Sequence, residues 1–315
     1  MIVATSPSAE SPLVLRELPR RALGVSDVRV RVRAIGVNPV DWKMRSGGPL
    51  RFAHFFIGPR GPLVVGVDFA GEVVEAGVRS DLPVGARVVG GTNFSRRQLG
   101  SYADEVVVAA DQCCALPDAV GFDEAACLPV AAVTPWISLT EHAKVKPGGR
   151  VLVLGASGGV GLMAIALTKM LGATPVGVCS TRNVALVESL GAVAVDYALG
   201  DALKASAAHG PYDLIMHAVG TATYPLSGCK PLLAKGGIVD LAVVRPADIW
   251  SILFSSKVRT VLGKVTRERL APLVDALAEG KLAPIIQEKI PLAEAERAHT
   301  LSKAGKVVGK LLLVP

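Results

Sequence analysis

Aromatic side chains are scarce: Phe, Trp and Tyr together make up 4% of the chain. Valine, leucine, alanine and isoleucine must therefore build the core, the make-up of buried parallel sheets. Charge is also thin, at 19% of residues, while half are hydrophobic. That excludes disorder, because ample apolar side chain offsets chain entropy, and it excludes a collagen-like or coiled-coil fibre. Cysteines are few and unpatterned. Cys113, Cys114, Cys127, Cys179 and Cys229 are odd in number and hold no CxxC, so neither a disulfide framework nor a structural zinc cluster is legible. They read as small buried hydrophobes. His54, His142, His209, His217 and His299 show no ligand spacing and read as core or surface side chains. The N-terminus has no basic region followed by an apolar stretch, so no signal peptide is expected.

One long uncharged run needs an explanation, since mean hydropathy is +0.45. Residues 151–168 carry no charge over 18 positions, near the lower limit for a membrane span. Gly155, Gly158, Gly159 and Gly161 interrupt the run, and Val151-Leu152-Val153-Leu154 precedes them. A strand, a glycine turn and a helix start fit it better than a span. The chain is expected to be soluble and cytoplasmic, with a plastid lacking a readable transit peptide as the alternative. Lys+Arg number 34 against 27 Asp+Glu, 34 − 27 = +7. The densest basic cluster, Arg29, Arg31 and Arg33, alternates with valines, so it reads as a solvated strand face rather than a nucleic-acid groove.

With 315 residues, roughly 150 per domain predicts two domains. Residues 13–115 read as β-rich, with strands at 28–35, 64–74, 84–89 and 103–108 and turn-rich pieces at 46–49 and 58–62. Beyond Pro117, helical stretches alternate with apolar strands at 151–154, 174–178, 193–196, 214–218 and 238–243. That alternation is the signature of a doubly wound parallel sheet. Helices at 268–279 and 292–303 and a strand at 307–314 close the chain.

The strongest local signal is Val151-Leu152-Val153-Leu154-Gly155-Ala156-Ser157-Gly158-Gly159-Val160-Gly161. An apolar strand enters a small-residue turn and a helix follows. Gly158 would let the backbone approach a pyrophosphate, and Gly161 would let helix pack on strand. The turn matches GxGxxG as AxGxxG, with Ala156 in the first place. About 20 residues on, an NAD enzyme carries an acid for the ribose hydroxyls. Here the segment reads Val178-Cys179-Ser180-Thr181-Arg182-Asn183, and the next acid is Glu188. Ser180 and Arg182 stand where they would bind a 2′-phosphate, which suits an Arg fork. The expected cofactor is NADPH.

At this point the sequence resembles the medium-chain dehydrogenase/reductase superfamily. The matching pieces are residues 36–43, 66–73, 128–134, 156–161 and the closing run 307–313. The resemblance implies an α/β chain with two domains. A β-rich GroES-like catalytic domain would comprise residues 1–118 and 264–315, and a Rossmann nucleotide-binding domain residues 119–263. Within the superfamily the chain is similar to zinc-free quinone oxidoreductases, and residues 38–43, 179–183 and 188–192 are similar to the plant chloroplast-envelope group. Zinc alcohol dehydrogenases have a cysteine where Asn38 stands and a GHE triplet where Gly66-Val67-Asp68 stands, so no metal is expected. The resemblance implies Asn38 and Lys43 beside the nicotinamide and its ribose, with Thr134 also touching the cofactor. Ser157, Gly158, Gly159 and Val160 would cradle the pyrophosphate, with Gly161 completing the cofactor-binding turn, Tyr197 would lie at the adenosine phosphate end, and Val219, Gly220, Ala242 and Val243 would line the groove. Asn38 and Asp41 have another reading, as residues that shape a turn before Trp42. No general acid is assigned.

The expected activity is hydride transfer from NADPH to a quinone, alkenal or enone, in a cleft between the two domains. Loops at 45–62 and 245–257 would shape the substrate pocket. The family implies a homodimer; no nucleic acid is expected. Two alternatives stay open: a non-catalytic NADPH-binding protein that associates with RNA or an anionic membrane, and an alcohol dehydrogenase.

Overall fold

A computed structural model describes residues 1–6, 11–46, 58, 61–261 and 263–315. His54 and most of the 45–62 loop lie outside them. The chain divides into two compact units, one of Met1–Val130 with Lys264–Pro315 and the other of Ala131–Gly263. The first crossing falls later than residue 118, because the segment after Pro117 stays with the β-rich unit. There the Val130 amide donates to the Asp68 carboxylate at 3.0 Å.

In the first unit the strands are β1 (Ile2–Ser6), β2 (Val14–Glu17), β3 (Asp27–Gly36), β4 (Leu63–Val64), β5 (Asp68–Ala76), β6 (Arg87–Gly91), β7 (Glu105–Ala109) and β8 (Cys113–Ala115). Helix α1 (Pro39–Arg45) follows β3, and α2 (Phe122–Ala125) follows β8. The expected strand at 64–74 is two pieces. Gly66, at φ +105, takes a turn that side chains resist, and β4 and β5 then join different sheets. β3 is central, pairing antiparallel with β5, β7 and, in its last turn, the C-terminal strand. That position corrects the reading of its arginines. Arg31 and Arg33 are exposed, but Arg29 is only 5% exposed, donating to Glu75 and to the Arg21 carbonyl, each at 2.8 Å.

The second unit holds β9 (Arg150–Leu154), β10 (Thr174–Cys179), β11 (Val193–Asp196), β12 (Tyr212–His217), β13 (Leu233–Leu241) and β14 (Val258–Thr260). All pair in parallel in the order β11-β10-β9-β12-β13-β14, the doubly wound dinucleotide-fold order. Its helices are α3 (Val133–Trp136), α4 (Gly159–Met170), α5 (Val184–Ser189), α6 (Ala202–Ala207), α7 (Leu226–Cys229) and α8 (Ile249–Phe254). Residues 151–154 are fully buried, as expected where helices cover both faces of a parallel sheet. Back in the first unit come α9 (Arg267–Ala278), β15 (Ile286–Pro291), α10 (Ala295–Lys303) and β16 (Lys310–Val314). Branched aliphatic residues dominate both cores, and the five cysteines are free and buried. Among the described residues, no helix is long and apolar enough to cross a membrane.

Candidate functional site

Within the second unit the expected cofactor residues gather along one edge of the sheet. β9 ends at Leu154, and residues 155–158 turn the chain into α4. Gly158 is the N-cap, at φ −78 and ψ 170, extended backbone open to any residue. A Cβ there would meet only the Gly155 carbonyl oxygen, at 3.6 Å. Gly159, Val160 and Gly161 open the helix, so their amides have no intrahelical acceptor, and no side chain caps them. The first helical bond runs from the Leu162 amide to the Gly158 carbonyl at 2.9 Å. Gly161 differs: a Cβ would lie 2.2 Å from the Gly155 oxygen and 2.7 Å from that of Ala156. The turn thus packs on Gly161 and leaves space at Gly158.

Ser180 and Arg182 follow β10. Ser180 caps a single 3-10 turn, and its hydroxyl accepts from Asn183 Nδ2 at 3.2 Å; Arg182 is exposed. Asp196, beside Cys179 in the parallel register, has its carboxylate turned to the Ala198 amide at 2.9 Å. Tyr197, next to it, is half exposed. Val219 and Gly220 follow β12, and Ala242 and Val243 follow β13. His217 shapes the first of these turns. Its Nδ1 accepts from the Gly220 amide at 3.3 Å, so Nε2–H donates to the Tyr224 carbonyl at 2.9 Å. Burial pushes its pKa down, which keeps the ring neutral. Thr134 lies buried in α3.

In the first unit, Asn38 and Lys43 belong to a polar cluster around α1. Asn38 is the helix N-cap, and its amide donates to Asp41 Oδ2 at 2.8 Å, so the turn-shaping role holds for Asp41. The Asn38 side chain has another partner: Lys310 Nζ donates to its Oδ1 at 2.7 Å, to Asp68 Oδ2 at 3.1 Å and to the Val37 carbonyl at 3.0 Å. Lys43 is half-buried, with Nζ 5.5 Å from the Trp42 ring centroid; burial lowers its pKa.

From Asp41 a chain of contacts runs to α10. Arg45 donates to His299 Nδ1 at 3.2 Å and pairs with Glu296 at 2.7 Å. Because Nδ1 accepts, Nε2–H must donate to the Tyr102 hydroxyl at 3.2 Å, which donates in turn to Asp41 Oδ2 at 3.2 Å. Desolvation is the largest influence on both ends. It raises the Asp41 pKa to about 7 and lowers that of His299 to about 4. At neutral pH the ring is uncharged, and Asp41 is poised between its two forms.

Sequence reading missed Lys310, Asp68, Tyr102 and His299 as partners of Asn38 and Asp41. One signal was present: Lys310 is the lone charge in an apolar final strand. Among the described residues, no group of three or more His, Cys, Asp or Glu is arranged to hold a metal. Asn38 Oδ1 is already taken by an ammonium and Val67 offers no donor, so these positions do not fit zinc.

Two family descriptions match the chain. Residues 24–118 match the alcohol dehydrogenase GroES-like domain, and residues 190–313 match a family described as zinc-binding dehydrogenase. The chloroplast envelope quinone oxidoreductase homolog of Arabidopsis thaliana is 34% identical over 92% of this chain and 90% of its own. A trans-enoyl reductase of Aspergillus terreus, pgmF, is 30% identical over 92% and 87%. Among solved structures, the quinone oxidoreductase from Coxiella burnetii superposes with a TM-score of 0.88 at 28% identity, covering 100% of this chain and 98% of that one.

Proposed function

Since the chain belongs to the medium-chain dehydrogenase/reductase superfamily, as an oxidoreductase related to the quinone oxidoreductases, we propose that it reduces quinones or α,β-unsaturated carbonyl compounds with NADPH. The observation that carries this is the uncapped start of α4. Free amides converge beside an open Gly158, a cradle that fits a pyrophosphate and is helped by the helix dipole. Ser180 and Arg182 stand after β10 where an acid would repel a 2′-phosphate, which favours NADPH over NADH. Tyr197, Val219, Gly220, Ala242 and Val243 share that sheet edge and would hold the rest of the nucleotide, with Thr134 also in this unit; Asn38 and Lys43 are assigned to the nicotinamide by the resemblance alone.

NADPH supplies the hydride. The chain's own part is to bind, orient and keep water out. Asn38, held by Lys310, and Val67 are poor ligands for a Lewis acid that would stabilise an alkoxide, which disfavours alcohol oxidation. An electrophile whose conjugation spreads the incoming charge needs no such help, and water can return the proton. Among the described residues the six-stranded sheet ends at β14. Beside it α8 exposes Trp250 at 68% and Phe254 at 77%, consistent with a homodimer joined there. Five buried free thiols fit a reducing compartment such as the cytoplasm.

The test is NADPH oxidation followed optically against a quinone, an alkenal and a ketol, with and without chelator. Turnover of the quinone or alkenal, indifferent to chelator, is expected. No consumption with any electrophile, or activity lost to chelator and restored by zinc, would overturn the proposal.

A further inference from the structure

Lys310 opens β16, and the antiparallel register of β16 on β3, with Leu312 beside Gly36, carries it opposite Asn38. The register of β3 on β5, with Ala34 beside Ala70, carries Asp68 opposite Gly36. Three strand ends therefore meet at one buried point. Lys310 is 4% exposed and Asp68 is fully buried. All three ammonium protons have acceptors: the Val37 carbonyl, Asn38 Oδ1 and Asp68 Oδ2. Lysine only donates, so the Asn38 atom it meets is the oxygen. That leaves Nδ2 to donate to the Gly36 carbonyl at 3.2 Å. The amide has one orientation.

A buried ion pair is a poor stabilising device. Removing both charges from water costs several kcal/mol, and apolar residues of similar volume often do as well or better. Strand-end packing alone therefore does not account for Lys310. A rigid Asn38 does, since a saturated ammonium tethered to two strands cannot follow a swinging side chain. The same contact fixes Asn38, the N-cap of α1, five positions before the half-buried Lys43.

We propose that Lys310, anchored by Asp68, is a positioning residue that locks the Asn38 side chain and the start of α1, which the resemblance assigns to the nicotinamide. The hold on Asn38 stands on geometry alone; its effect on hydride transfer rests on the function proposed above. The two are separable by experiment.

The chain has three asparagines, Asn38, Asn93 and Asn183, so selective 15N-asparagine labelling gives three side-chain amide pairs. In the cofactor-free wild type the Asn38 pair should exchange slowly with solvent. Lys310→Met combined with Asp68→Asn removes both charges together, leaves no lone buried charge and keeps an acceptor for the Val130 amide. That variant shows a fourth amide pair, from position 68, and among the four the Asn38 pair should exchange rapidly. Its kcat should fall about tenfold while the NADPH Kd moves by less than about threefold, as for a misplaced reacting end. The isotope effect with 4-deuterated NADPH should rise. If the double variant does not fold, Lys310→Met alone, which leaves Asp68 able to take up a proton and stay neutral, should give the same changes. Slow exchange persisting in the variant, or wild-type kcat alongside fast exchange, overturns the proposal. A wild type that oxidises no NADPH would instead sink the proposed function, leaving the exchange data to decide the hold on Asn38.

Discussion

Two glycines three residues apart should fail in opposite ways. Gly158→Val places a side chain in open space: the nearest atom to its Cβ is 3.6 Å away, and φ −78 is accessible to valine. The apo fold should lose about 1 kcal/mol at most, from a poorer N-cap. The valine would stand in the proposed phosphate cradle, weakening NADPH binding about tenfold, or 1.4 kcal/mol. At a concentration near 100 times the wild-type Kd, ligand stabilisation is about 2.7 kcal/mol, and a tenfold loss roughly halves it. Gly161→Val instead forces a Cβ to 2.2 Å from a backbone oxygen. Overpacking of that kind costs about 3 kcal/mol, or roughly 6–12 °C in Tm. The NADPH-induced shift should remain, because Gly161 lies behind the cradle. The assay is a thermal melt of both variants with and without NADPH. A Gly158→Val protein that keeps the full shift refutes the placement of the phosphates.

Replacing Arg182 by Ala should weaken NADPH binding by about 1.5–3 kcal/mol, the worth of a hydrogen bond to a charged group, and leave NADH nearly unchanged; equal losses by calorimetry would show that Arg182 does not read the 2′-phosphate. Asp41 titrates at 3.8 when unperturbed and near 7 in the fold, an acid raised by burial, so the stability it contributes is complete below pH 3.8 and drains as pH rises toward 7. Asp41→Asn should therefore gain on the wild type by about 1 kcal/mol per pH unit through that window, and parallel Tm-against-pH curves would refute this. His299 has the opposite sense: a base lowered to about 4 adds stability that is lost as pH falls from about 6.5 toward that value, so His299→Gln should flatten the acid limb.

Local chemistry made the second unit legible. Apolar strands separated by helical stretches have one economical arrangement, and β9 through β13 adopt it within a few residues of the expected bounds, while the short β14 was not expected. The strand, glycine turn and helix from 150 to 170 were readable because small residues between a strand and a helix leave few choices. The misplacements have physical causes. Gly66 reads as one more glycine in a strand until its positive φ sends β4 and β5 to different sheets. Arg29 reads as exposed from period-2 spacing, yet β3 has neighbours on both sides, and the Glu75 carboxylate lets it be buried.

The polar cluster of the first unit was illegible for a different reason. Asn38, Asp68 and Lys310 are separated by 30 and 242 positions, and nothing local requires them to meet. Only two strand registers, 36 beside 312 and 34 beside 70, bring them together, and a register is a property of pairing rather than of a segment. The sequence does carry one trace. A lysine that begins a strand buried through Leu313 must have a partner, because an unpaired buried ammonium is too costly to keep. That demand names no partner, but it restricts the search to carboxylates and carbonyls at the ends of neighbouring strands. Asp68, at the start of β5, meets the demand. The residue most exposed to its failure is Asn38, the one both the resemblance and the ammonium single out.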